Sequence, residues 1–423
     1  MSSPVDHVRD LGDFVTASPS SFHAAAEGAR RLSAAGFVPQ DETGEWDSGV
    51  GGHFLVRDGA LVAWRIPEGA GPLSGFRVVG SHTDSPTFKL KPHPDLGGYG
   101  WQQLGVEVYG GPLLNSWLDR ELGLAGRLFL RNGESRLVRT EPLLRIPQLA
   151  VHLDRGVNDE GVKLNKQQHT APVWSVGHPE LSILDELAER AGARGRDVLG
   201  YDIVAFDTAA PAVFGPRQEF FASGRLDNLS SVHASLAALL ASRDGDHITV
   251  LAAFDHEEIG SGSRSGAAGP ILADVLTRIA HGLGASVDQR HRALARSCCL
   301  SADAGHAVHP NYAGRHDPAN HPLLNGGPLL KINANQRYAT DAAGAALWRR
   351  ACERAGVPTQ EFVSNNAIPC GSTIGPLTAT RLGMATVDVG IPLLSMHSAR
   401  ELAGTEDPAS LSRAVGAFFG LGG

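Results

Sequence analysis

The residues best suited to chemistry lie in Asp255-His-Glu-Glu-Ile-Gly260. An apolar run over residues 248–254 stops there and gives way to Glu257 and Glu258, then to Gly260, Ser261 and Gly262. The pattern predicts a buried strand that delivers two adjacent carboxylates to a loop at its C-terminal end. That is the edge where ligands bind in open α/β sheets. Like charges this close raise each other's pKa unless a cation lies between them, so Glu258 is assigned to a metal and Glu257 to proton transfer. A solvated acidic loop would explain the pair taken alone. Four further residues argue for the metal: His82 after the run 76–80, Asp303 after 297–302, His397 after 384–389, and Asp227 just before a helix. Singly, each has an ordinary explanation as a core histidine, a strand-ending aspartate or a helix cap. A fold that gathers strand ends would bring all of them together.

His82, Asp227, Glu258, Asp303 and His397 offer mixed nitrogen and oxygen donors, which suit zinc and also cobalt or manganese. Five ligands are too many for one tetrahedral ion but fit two if a carboxylate bridges. A bridging Asp227 gives each ion three protein contacts and leaves room for a shared water, whose pKa two cations would lower. Glu257, beside a ligand without being one, would then move the proton from water to leaving group. Asp84, two residues after His82, would hold the other imidazole nitrogen and fix its tautomer.

These side chains need a scaffold, and the chain is long enough for two domains at 423 residues. Strands alternate with helices over residues 1–94 and 216–423, which predicts an α/β domain with a mainly parallel sheet covered on both faces. A helix is expected over 18–36, a hairpin turn at Asp58-Gly59, and a last helix capped by Asp407. Residues 95–215 instead read as antiparallel strands with a turn at Asn132-Gly133, a mostly β domain inserted into the first. The net charge of -8 speaks against a nucleic-acid partner. No apolar run approaches the roughly 18 residues needed to span a bilayer, and no secretory signal is apparent. Four cysteines without CxxC spacing fit a reducing, cytoplasmic setting.

Gly80-Ser-His-Thr-Asp-Ser-Pro86, Ser223-Gly-Arg-Leu-Asp-Asn228, Asp255-His-Glu-Glu-Ile-Gly-Ser261, the stretch from Ser301 through Asp303 to Tyr312, and Ser395-Met-His-Ser398 together resemble the aspartyl aminopeptidases of the M18 metallopeptidase family, over nearly the whole chain. The resemblance implies a fold of the di-zinc exopeptidase type with an inserted dimerisation domain. It further implies removal of N-terminal Asp or Glu from peptides by an enzyme with two Zn2+ per subunit, Co2+ or Mn2+ being alternatives in one position. By matching motif, His82, Asp227 and Asp303 would hold one ion, and Asp227, Glu258 and His397 the other, with Glu257 as general base. Lys331, with His306 and Tyr338, would receive the substrate's acidic side chain. His152 matches a histidine that reaches the neighbouring subunit's active site, and the expected assembly is a tetrahedral dodecamer built from dimers. Two other readings stand beside this one: a di-metal deacylase of N-acyl amino acids, and a non-catalytic cargo-binding shell. The presence of every ligand and of Glu257 speaks against the shell.

Overall fold

The strand Ile248–Phe254 is apolar except for Thr249, rather than alternating, because it is buried on both faces. Leu251 and Ala253 share a core with Val232 and Leu236 of the helix Leu226–Ala241. Val250, Ala252 and Phe254 share the opposite one with Ile271, Val275 and Ile279 of the helix Ile271–Gly282. Fully burying one large apolar side chain contributes about 1.5–3 kcal/mol, so this layering is what fixes the strand end that carries the glutamates. The computed structural model describes residues 3–242 and 245–421.

The strand lies within a nine-stranded sheet. Its order is Val38–Pro39, Gly51–Arg57, Ala60–Ile66, Ile248–Phe254, Phe76–His82, Cys298–Ala302, Ala385–Gly390, Leu329–Ile332 and Gln360–Val363. The four central strands from Ile248–Phe254 to Ala385–Gly390 run parallel, so their C-terminal ends open on one edge. Gly51–Arg57 and Ala60–Ile66 form the expected hairpin around Asp58-Gly59, with Asp58 at φ 55°.

The expected division at residues 94 and 95 falls inside a strand, Thr87–Gly98. This strand belongs to a second, six-stranded antiparallel sheet whose strands run consecutively from Thr87 to Asp207. Ala212–Phe214 already pairs with Phe220–Ser223 in a third sheet, which also contains Glu401–Gly404, Pro392–Leu394 and Gly305–His306. Those strands are two to four residues long, too short to leave a period that a sequence pattern can reveal.

Other differences lie at helix ends. The first expected helix begins at Ser21, not 18, because Ser20 provides the cap. Another helix, Pro4–Ala17, precedes it and buries Val8, Leu11, Phe14 and Val15 along one face. Asp407 is the first residue of the last helix instead of its cap. Its carboxylate accepts the N–H groups of Asn325 and Gly327.

Candidate metal centre

Each candidate ligand arrives by its own local device. His82 is the last residue of Phe76–His82 and is buried. Asp303 directly follows Cys298–Ala302, and its N–H is bonded to the Val389 carbonyl at 2.9 Å. After Phe254 the chain turns through His256 at φ 64° into a single helical turn, Glu257–Ile259, closed by Gly260 at φ 96°. Asp227 lies in the first turn of Leu226–Ala241, but the backbone is non-helical at Asp227 and Asn228. It does not cap the helix; its carboxylate turns inward instead. His397 adopts φ 64° in the turn after Pro392–Leu394 and donates from Nδ1 to the Gly111 carbonyl at 3.0 Å, leaving Nε2 free for the centre.

These side chains form two groups that share one residue. His82, Asp227 and Asp303 place one donor atom each within 4.8 Å of one another, and so do Asp227, Glu258 and His397. His82 Nε2 is 3.4 Å from Asp227 Oδ1 and 3.5 Å from Asp303 Oδ1. His397 Nε2 is 3.5 Å from Asp227 Oδ2 and 3.4 Å from Glu258 Oε2. A tetrahedral ion with bonds of about 2.0–2.1 Å separates its ligands by about 3.3–3.4 Å. The spacing therefore suits a central cation better than it suits direct hydrogen bonds. Asp227 Oδ1 and Glu258 Oε1 are buried without a hydrogen-bond partner, which a buried carboxylate oxygen tolerates only if a cation or water meets it. The donor set fits zinc.

The electrostatics agree. Burial opposes charge on His82, yet Asp227, Asp303 and Asp84 outweigh it and hold its pKa well above the ordinary histidine value. Burial works the same way against His397, and Asp227 and Glu258 still carry it to about 10. Glu258 is pushed well above the carboxylate range by burial and by Asp227. Glu257 is raised to about 7, chiefly by burial, with His82 pulling against Asp303 and Asp227. A buried site this rich in carboxylates holds protons tightly when no other cation is present.

Glu257 is in neither ligand group, and its Oε2 is 3.9 Å from His82 Nε2. Asp84 has more partners than the expected one. His82 Nδ1 is nearer the Asp84 carbonyl, at 3.0 Å, than its carboxylate, at 3.4 Å. That carboxylate accepts the N–H groups of Glu257 and Glu258 at 3.0 and 3.1 Å and the Tyr109 hydroxyl at 2.7 Å. Asp84 thus also holds the turn that presents both glutamates.

Lys331 is buried in Leu329–Ile332. Its ammonium donates to the Ala304 carbonyl at 2.7 Å, lies 3.4 Å from Asp303 Oδ2, and sits 5.3 Å from the Tyr338 ring centre. The rings of His306 and Tyr338 flank Phe362 at 6.0 and 6.2 Å. His152 lies in an exposed turn and belongs to neither ligand group.

Sequence reasoning missed three contributors: Tyr109, Gly111 and Glu401. Tyr109 ends the strand Trp101–Tyr109 and Gly111 lies in the loop that follows it, so they bring the second sheet against the centre. Gly110 between them has φ 69°, and a Cβ there would come 3.2 Å from Cβ of Glu258. Glu401 is buried, and its carboxylate accepts the N–H groups of Asp227 and His397. Its one sequence cue is its place four residues after His397.

Among known proteins, the family profile described as Aminopeptidase I zinc metalloprotease (M18) matches residues 14–419. A probable M18 family aminopeptidase 2 from Streptomyces avermitilis is 54% identical over 429 residues, covering 99% of both chains. The cryo-EM structure of the Ape4 and Nbr1 complex contains a chain that superposes with a TM-score of 0.95 at 35% identity, covering 98% of this chain and 86% of that one. The mApe1 dodecamer of S. cerevisiae gives a TM-score of 0.87 at 29% identity, with 98% and 96% covered.

Proposed function

Since the chain belongs to the M18 family of zinc metalloproteases and is a metallo-aminopeptidase, we propose that it removes N-terminal aspartate or glutamate from peptides at a centre of two zinc ions. The observation that carries the two-ion reading is Asp227, whose two oxygens face two different histidines at ligand-to-ligand spacing. His82, Asp227 and Asp303 would hold one ion, and Asp227, Glu258 and His397 the other, with cobalt or manganese able to replace zinc in one position. Zinc bound there supplies an acidified water and a polarised scissile carbonyl. Glu257 accepts the proton of the attacking water and delivers it to the departing amine as the peptide C–N bond breaks. Asp84 keeps the Glu257 and Glu258 main chain fixed while this happens.

Selectivity for an acidic first residue would come from Lys331, with Tyr338 beside its ammonium and His306 across Phe362 from Tyr338. A charged hydrogen bond in a dry site is worth about 1.5–3 kcal/mol. Lys331→Ala is therefore expected to lower kcat/KM on Asp-substrates by about 10- to 150-fold, with a far smaller change on neutral ones. Because the ammonium also approaches Asp303, an equal loss on both substrates would reassign Lys331 to supporting that ligand. The test of the whole reading is a panel of aminoacyl substrates with and without N-acetylation, run alongside zinc analysis. Free Asp- and Glu-peptides should be cleaved and acetylated ones spared; efficient release of the acyl group would favour the deacylase.

The dodecameric neighbour and the exposed apolar side chains of Trp101 and Val176 on the second sheet and of Tyr99 in the turn before Trp101 support a homo-oligomer, with dimers joined into a tetrahedral shell. Among the described residues no helix is long and apolar enough to cross a membrane. The four cysteines are free, which supports a cytoplasmic setting. His152 lies between exposed Leu149, Val151 and Leu153, a surface suited to a second copy. Contributed across such an interface, its imidazole would stabilise developing negative charge on the neighbour's substrate. His152→Ala and Glu257→Gln subunits, each impaired alone, should then regain activity when dissociated, mixed and reassembled. No gain on mixing would remove His152 from a shared site.

A further inference from the structure

Two of the ligands are brought in by chain segments that leave regular structure before they reach the centre. Arg225 is at φ 59° just ahead of Asp227, and Ser395 and His397 are at φ 57° and 64°. In such turns the peptide N–H groups have no strand or helix partner supplied by the local fold, and buried ones must find another. Glu401 supplies it for both. It opens the strand Glu401–Gly404 and lies opposite Ser223 in that pairing, so it is anchored beside both segments. Its Oε2 accepts the N–H of Asp227 at 2.9 Å, and its Oε1 accepts the N–H of His397 at 2.7 Å.

We propose that Glu401 is a positioning residue of the metal centre, clamping the main chains of Asp227 and His397 so that their side chains meet at ligand spacing. The inference deepens the zinc reading above and rests on it. A carboxylate is the side-chain group that presents two acceptors and no donor; glutamine of the same shape would oppose one N–H with an NH2 group. The clamp works from behind the centre. Glu401 lines a cavity of about 220 Å³ together with Asp84 and Asp227, whereas Glu257, Glu258, Asp303 and His397 do not line it. Glu401 is itself buried and meets the centre through the main chains of Asp227 and His397, so its influence would reach an ion through those two ligands.

The experiment uses full-length Glu401→Gln, stripped of metal and titrated with Zn2+ against a fluorescent chelator, and separately with Co2+ followed by visible absorption. Loss of support behind a ligand typically weakens metal binding about 10- to 100-fold. One of the zinc dissociation constants should rise by that factor, the cobalt bands should shift, and kcat should fall while KM stays near the native value. Native zinc affinities with an unchanged cobalt spectrum would overturn the proposal, even if the melting temperature drops, because a purely structural glutamate would produce that result. If Glu401→Gln does not fold, Glu401→Asp keeps both acceptors on a shorter stem and is expected to show a milder loss in the same titration; native affinity there would overturn the clamp equally. Native protein that takes up no zinc in the control titration would end the zinc reading itself, a failure distinct from an unaltered variant.

Discussion

Glu257→Gln is expected to lower kcat by about a hundred- to ten-thousand-fold, the usual contribution of a positioned general acid–base group, while leaving zinc content at the native level. Glutamine has nearly the same volume and cannot take a proton from water. Ligation should survive because Glu257 belongs to neither donor group, and the turn that carries it is held through its main-chain N–H by Asp84, a bond the substitution does not touch. With no cation beside it, burial raises Glu257 to about 7. A bound cation would draw that value down toward the ionised form, ready to act as base. The measurement pairs kcat on an Asp-substrate with metal analysis of the same sample. Turnover close to native would take Glu257 out of the mechanism, and lost zinc would make it a ligand.

The glutamate turn could be read from the sequence because composition and spacing coincide: a strand buried on both faces is apolar almost throughout, so its end is sharp and the acids after it are conspicuous. His82 and Asp303 were legible for the same reason, each following a short apolar run. Asp227 was harder. An aspartate at the start of a helix looks like a cap, and only the irregular backbone at 227 and 228 turns it inward. Tyr109, Gly111 and Glu401 left almost no trace, since two of them act on main-chain groups or through their own, and the third reaches across from another sheet. The Pro4–Ala17 helix is less legible because Asp6, Arg9, Asp10 and Asp13 interrupt its apolar residues, although its buried face has helical spacing. The second sheet starts before residue 95 because Thr87–Gly98 is mostly buried in its first third and mostly exposed after it, so the change of character shows only partway along the strand.

Asp227→Ala is the change expected to harm the centre most, because both donor groups contain Asp227. Removing His82 takes a donor from one group only and leaves Asp227, Glu258 and His397 intact. If two ions are bound, zinc per chain should fall in steps: two in the native protein, about one in His82→Ala, and fewer than one in Asp227→Ala. Activity of Asp227→Ala should drop by more than the 10²- to 10³-fold or so that losing a single transition-state contact costs. Alanine retains the peptide N–H that Glu401 accepts, so the local main chain keeps its anchor and the result reports on the carboxylate itself. Equal zinc loss in the two variants, starting from one ion per native chain, would mean that a single cation is shared by all five ligands and that Asp227 does not bridge. The stepwise pattern, by contrast, requires each oxygen of Asp227 to serve a separate ion, as their separate histidine partners suggest.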